Sequence, residues 1–96
     1  MPSPWTLERF GECLDRWFEQ DGPSQDLRLV VTSWVLSRFD DPYQGVRRER
    51  GFENLWYGTV PASHHGDGRA VLCCYWVNER EHTVVCESIA TLGLPH

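Results

Sequence analysis

Apolar residues recur along this chain with two different periods. Between positions 7 and 39 they return every three or four residues, and between positions 54 and 92 they alternate or run unbroken. The first spacing is that of a helix with one buried face, and the second that of buried strands. Leu7, Phe10, Leu14, Trp17 and Phe18 form one helical stripe, with Cys13 alongside. Glu8, Glu12, Asp15, Arg16, Glu19 and Gln20 fill the other face. The start of this helix is open. Ser3-Pro4 suits an N-cap followed by a first-turn proline, yet residues 5–10 also read as a short edge strand. Gly11 weakens the helix by roughly 1 kcal/mol relative to alanine, so the start can lie after it.

Asp21-Gly22-Pro23-Ser24 breaks the first helix and lets a second begin. Leu27, Val30, Val31, Trp34, Val35 and Phe39 give that second helix a broad apolar face. Asp40-Asp41-Pro42 stops it, because proline disfavours helical backbone in the residue before it. Residues 40–53 form a polar connector, long for a small domain, which is a mark of functional loops. Strands are expected over 54–61, 70–77 and 82–92, with turns at 62–68 and 78–81. The middle strand is apolar on both faces: Val71, Cys73, Tyr75 and Val77 on one, Ala70, Leu72, Cys74 and Trp76 on the other. Such a strand belongs at the centre of a sheet and is covered on both sides. The expected fold is therefore α+β: two N-terminal helices on one face of a small antiparallel sheet, a three-stranded meander with room for a fourth short N-terminal strand. The second face needs a helix, a loop or a partner, or it offers a floor for substrate.

Ninety-six residues make one domain with a single core. The formal charge of −5 argues against a protein that coats nucleic acid. All nine cationic side chains are arginine, which removes lysine from any chemistry. Residues 1–44 hold eight acids and four arginines, and the one basic cluster is Arg47, Arg48 and Arg50 around Glu49. The amino terminus has no apolar run of signal-peptide length, and no segment is long enough to span a membrane. A cytoplasmic location is expected, and Cys13, Cys73, Cys74 and Cys86 fit it as small buried thiols.

Candidate chemistry is sparse. His64, His65 and His82 titrate near neutrality, and Arg69, Arg47, Arg48 and Arg50 can hold phosphate through forked hydrogen bonds. The bland alternative is a set of solvated turn residues. His64, His65 and Asp67 lack the spacing of a metal site, so neither metal nor cofactor is expected. Tyr57, Trp56, Tyr75 and Trp76 can stack bases if one sheet face is open, with Trp56 and Trp76 the preferred contacts for substrate or partner.

The order of these elements resembles the bacterial RelE/ParE-type toxins over roughly residues 25–92. The resemblance rests on Asp41-Pro42, Leu55-Trp56, Gly68-Arg69 followed by Val71 and Tyr75, and Val84-Val85 with Ile89. It implies a small toxin encoded beside an antitoxin, acting on messenger RNA in the ribosome or, in ParE-like members, on DNA gyrase. If the chain is active, the resemblance implies a metal-free endoribonuclease. Arg69 then occupies the position of the arginine that opens the central strand, and His64, His65 or Tyr75 transfers the proton. The expected partners are an antitoxin-like protein, RNA or the ribosome, and a second copy of the chain, with no membrane. The acidic balance and the ending TLGLPH, without a basic residue, keep a second reading open: a non-catalytic interaction module on the same scaffold.

Overall fold

Apolar periodicity decides the layers, and long-range pairing decides the order of strands. In a computed structural model, which describes residues 4–61, 63 and 69–93, the elements run β1 (Thr6–Glu8), α1 (Phe10–Asp21), α2 (Gln25–Ser37), β2 (Arg47–Arg48), β3 (Leu55–Thr59), β4 (Arg69–Asn78) and β5 (Thr83–Gly93). The sheet order is β1-β5-β4-β3-β2. β3, β4 and β5 form the expected antiparallel meander, with Tyr57 opposite Cys74 and Cys73 opposite Ile89.

Two strands change the expected sheet. Thr6–Glu8 is a strand, and it pairs in parallel with Thr83–Val85, so the sheet is mixed. The helical stripe thus begins at Phe10, and Leu7 joins the core from β1 instead. Arg9 separates the two elements with φ 65°, in the left-handed region. The short strand is tied down by Trp5 N–H to the Phe39 carbonyl (3.0 Å) and Thr6 N–H to the His82 carbonyl (2.9 Å). Inside the polar connector, Arg47–Arg48 pairs with Trp56–Tyr57 as a fifth strand. His82 belongs to the turn, with φ 57°, and β5 starts at Thr83.

Both helices follow from their ends and faces. Gly22 closes α1 with φ 54°, its N–H bonded to the Phe18 carbonyl at 3.1 Å. Ser24 caps α2, its hydroxyl accepting from Leu27 N–H at 3.2 Å. Phe10, Cys13 and Trp17 of α1, and Leu27, Val31 and Val35 of α2, are buried against Val71, Cys73, Tyr75 and Val77 of β4 and Cys86 and Ile89 of β5. Trp17 has no exposed surface, and its indole N–H donates to the Thr91 hydroxyl at 2.9 Å, which pins α1 to β5. Phe39 lies beyond the end of α2 and is 45% exposed, so it is not part of the apolar face the spacing suggested.

A bulge keeps β5 in phase with the core. Cys74 pairs with Ser88 and Tyr75 with Cys86, which leaves Glu87 without an opposite residue. Cys86 and Ile89 are three apart, an odd separation, yet both face the helices because Glu87 is the extra residue. At Gly58, on the same face, an added Cβ would sit 2.8 Å from Val46 Cγ1, so only glycine lets the connector pass.

Tyr75, like Trp17, is a large polar-tipped side chain without exposed surface in this core. Its hydroxyl donates to the Pro42 carbonyl and accepts from Arg38 Nη1 at 3.4 Å. Burial pushes the phenol up to about 12, against the lowering effect of Arg38. We predict that Tyr75→Phe lowers stability by about 1–3 kcal/mol in urea unfolding, because the Pro42 carbonyl loses its buried donor. The raised value means the folded chain holds the phenol neutral while the unfolded chain ionises near 10. Stability present below pH 10 is therefore lost as pH rises toward 12, and this slope is shallower in Tyr75→Phe.

Candidate functional site

The alternation of β4 divides the sheet into a face covered by the helices and an open face that, among the described residues, no helix covers. Val71, Cys73, Tyr75 and Val77 point to the helices, and Leu72, Cys74 and Trp76 point away. Register lines these three up with neighbours across the sheet. Leu72 lies between Thr59 and Ala90, Cys74 between Tyr57 and Ser88, and Trp76 between Leu55 and Val85. Both helices lie on the other side. Phe52, 49% exposed, meets Trp76 edge to face at 5.8 Å, and Leu92 is 45% exposed at the far end.

Charge surrounds this apolar strip. Arg47 pairs with Tyr57 and so shares its face. Glu49 follows two residues later on the same side, its N–H bonded to the Leu55 carbonyl at 2.7 Å. Glu87 rises from the bulge, and its carboxylate accepts from the Trp76 indole N–H at 3.0 Å. Glu8 sits opposite Val85. Among the described residues, three carboxylates thus share this face with Arg47, while Arg48 and Arg50 lie beside Glu49, and Arg80 lines a cleft with Trp76 and Val85. Burial, then Glu87 and Glu49, push the Cys74 thiol up to about 11.

Among the described residues, those singled out from sequence are spread over both faces of the sheet. Tyr75 is on the helix-covered face, without exposed surface, its hydroxyl committed to Pro42; it cannot reach a substrate in this structure. Arg69 is exposed at the start of β4, but it lies on the helix side, beside Gln20 and Asp21 at the end of α1, Ser24 of the turn and Thr91 of β5. The parity of β4 thus keeps Arg69 off the open face. Arg47, Arg48 and Arg50 are exposed at and just after the opposite edge strand. The five residue steps along β4 from Arg69 to Cys74, which marks the row of Arg47, span ~17 Å, so the two basic groups act apart. Trp56 faces the helix side and meets Tyr43 at 4.9 Å, while Trp76 is on the open face; both line one cleft at the end of the sheet, with Tyr43, Glu79 and Val85. His82 stacks on Trp5 at 3.9 Å and 16°. His64 and His65 lie outside the described residues.

Among the described residues, no group of His, Cys, Asp and Glu is arranged to hold a metal ion, and no helix is long and apolar enough to cross a membrane. The sequence reading missed Glu49 and Glu87 as features of a site. The bulge follows from where these residues pack: Cys86 and Ile89 cannot both face the helices in a regular strand, and Glu87 between them is the extra residue.

The thiols offer a direct check of this geometry. Cys74 is the partly exposed one, and Cys13, Cys73 and Cys86 are buried. Iodoacetamide at pH 8 should alkylate Cys74 first, yet about 100-fold more slowly than an unperturbed cysteine, because its thiolate fraction is lower by two decades. Glu87→Gln should speed that reaction, read by mass spectrometry of the labelled peptide.

No family model matches this chain, and no curated protein matches it in sequence. Solved structures do match. A structure of E. coli toxin RelE, a mutant with two arginines changed to alanine and in the free state, superposes with a TM-score of 0.60 over 90% of this chain and 81% of that one, at 14% sequence identity. At that identity the likeness concerns the fold, and this chain has a RelE-like α+β fold.

Proposed function

We propose that this chain is a RelE-like toxin, the active component of a type II toxin–antitoxin pair, acting on messenger RNA at the ribosome or on another intracellular target. The observation that carries the reading is the RelE-like fold over 90% of the chain. Exposed arginines support it. Arg69 at one end of the sheet, and Arg47, Arg48 and Arg50 at the opposite edge, present guanidinium groups suited to phosphate. Metal-free cleavage of RNA also needs a base for the 2′-hydroxyl and an acid for the leaving oxygen. We assign these roles to His64 and His65, which precede Arg69 in the chain. Tyr75 is dropped from the site because its hydroxyl is buried and bonded.

A second reading has its own support. Tyr75, the tyrosine that suited proton transfer, is committed to Pro42. That favours a chain which binds a target through its sheet without cutting RNA, a non-catalytic module on the same scaffold.

Inducible expression in a bacterial host separates the readings. The toxin reading expects growth arrest, a fall in pulse-labelled protein synthesis and new messenger 5′ ends by primer extension. The combined variant His64→Ala, His65→Ala, Arg69→Ala should reduce cleavage by at least about 100-fold, the combined effect of acid–base and phosphate contacts. Arrest that survives in this variant, without new 5′ ends, supports the module. Harmless expression, with translation and DNA supercoiling unchanged, refutes the toxin reading.

A further inference from the structure

The uncovered sheet face combines an apolar floor with carboxylates that reach its centre from two sides. Leu72, Trp76 and Val85 lie in its floor on neighbouring strands. Glu87 approaches from the β5 bulge and Glu49 from beyond β2, and both raise the Cys74 thiol that lies between them. Neither takes part in an ion pair within the described residues, where the single pair is Arg9 with Glu12. Arg47 is in register with the floor, and Arg80 lines the cleft that Trp76 and Val85 share with Glu53, Glu79 and Glu81.

We propose that this face docks a basic amphipathic segment of a partner protein, with apolar side chains on Leu72, Trp76 and Val85 and arginine or lysine side chains on Glu49 and Glu87. Charge selects this occupant. An uncharged apolar segment would strip water from both carboxylates and leave them unpaired, which is costly. A second copy of the chain would bring the same excess of acid against itself. An RNA strand would meet a surface on which, among the described residues, carboxylates outnumber guanidiniums, the reverse of what phosphate needs. A cationic segment pairs the carboxylates and also finds the Trp76 ring, whose face attracts a guanidinium. The proposal names the chemistry of a partner for the toxin reading, yet it stands on the sheet face alone.

The test uses two synthetic amphipathic helices of equal length with the same leucine stripe, one flanked by arginine and the other by glutamate. Each is labelled and titrated with the full chain by fluorescence anisotropy. The arginine peptide should bind, more weakly as salt rises, and the glutamate peptide should not. Glu49→Gln with Glu87→Gln should weaken the arginine peptide by about tenfold or more. Asp15→Asn with Glu19→Gln removes the same charge from the outer face of α1 and should change binding by less than about twofold. Circular dichroism confirms that both double variants are folded. The proposal is overturned if the glutamate peptide binds equally well, if the two double variants weaken binding equally, or if the arginine peptide does not bind at all. It is also overturned if Leu72 and Trp76 amides shift on self-association or on adding an RNA oligonucleotide but not on adding the arginine peptide. A chain that arrests growth and binds neither peptide refutes this docking and leaves the toxin reading standing.

Discussion

A buried guanidinium holds the middle of this molecule. Arg38, 2% exposed, ends α2 and turns inward. A cation withdrawn from water is costly unless its donors are taken up. Here they are. Nη1 donates to the Gln44 carbonyl at 2.6 Å and to Tyr75, Nη2 donates to the Ser37 hydroxyl at 2.9 Å, and the plane lies over Trp34 at 4.1 Å. Tyr75 passes the network on to the Pro42 carbonyl. The end of α2, the connector and the central strand are thereby locked to one another. Four of these five partners are neighbours in sequence, and the fifth, Tyr75, is on β4.

That lock has consequences for the rest of the sheet. With Pro42 and Gln44 held down, Val46 crosses Gly58, and Arg47 and Arg48 fall into register with β3. The pairing of β2 then carries Arg47 and Glu49 onto the uncovered face. The same lock uses the hydroxyl that otherwise would suit proton transfer. A tyrosine that builds the core cannot also serve a substrate, and the choice between these roles is made by the face of β4 on which it falls. The bulge at Glu87 completes the division. It turns Cys86 and Ile89 inward and sets a carboxylate beside Trp76 on the outer side. The result is a sheet with two chemistries: a closed core under the helices, and an apolar strip edged with acid on the other side.

Much of this was legible in the chain, for physical reasons that can be stated. Helix and strand periods are local, so α2 and the meander followed from Leu27 to Val35 and from Leu55 to Val85. The glycine and serine of the 21–24 break act within a turn, and they cap the helices where the pattern placed the break. Thr6–Glu8 was ambiguous because its strand partner, Thr83–Val85, is far away in sequence. Arg47–Arg48 read as a polar loop because an edge strand needs no buried face. The site was less legible. Residue types alone ranked Tyr75, Arg69 and Trp56 with Trp76, and the fold sends Tyr75, Arg69 and Trp56 to the helix side and leaves Trp76 on the other.

The amino-acid sequence by itself determined the layers of this protein: two amphipathic helices, a central strand apolar on both faces, and a sheet with one side left to cover. These depend on spacing over a few residues, and spacing is written in the chain. Only the tertiary structure decided which side each functional group occupies. Facing depends on register, on the single extra residue at Glu87 and on the buried bonds of Arg38 and Tyr75. Each of these joins segments distant in sequence, and one residue of slip would exchange the two faces.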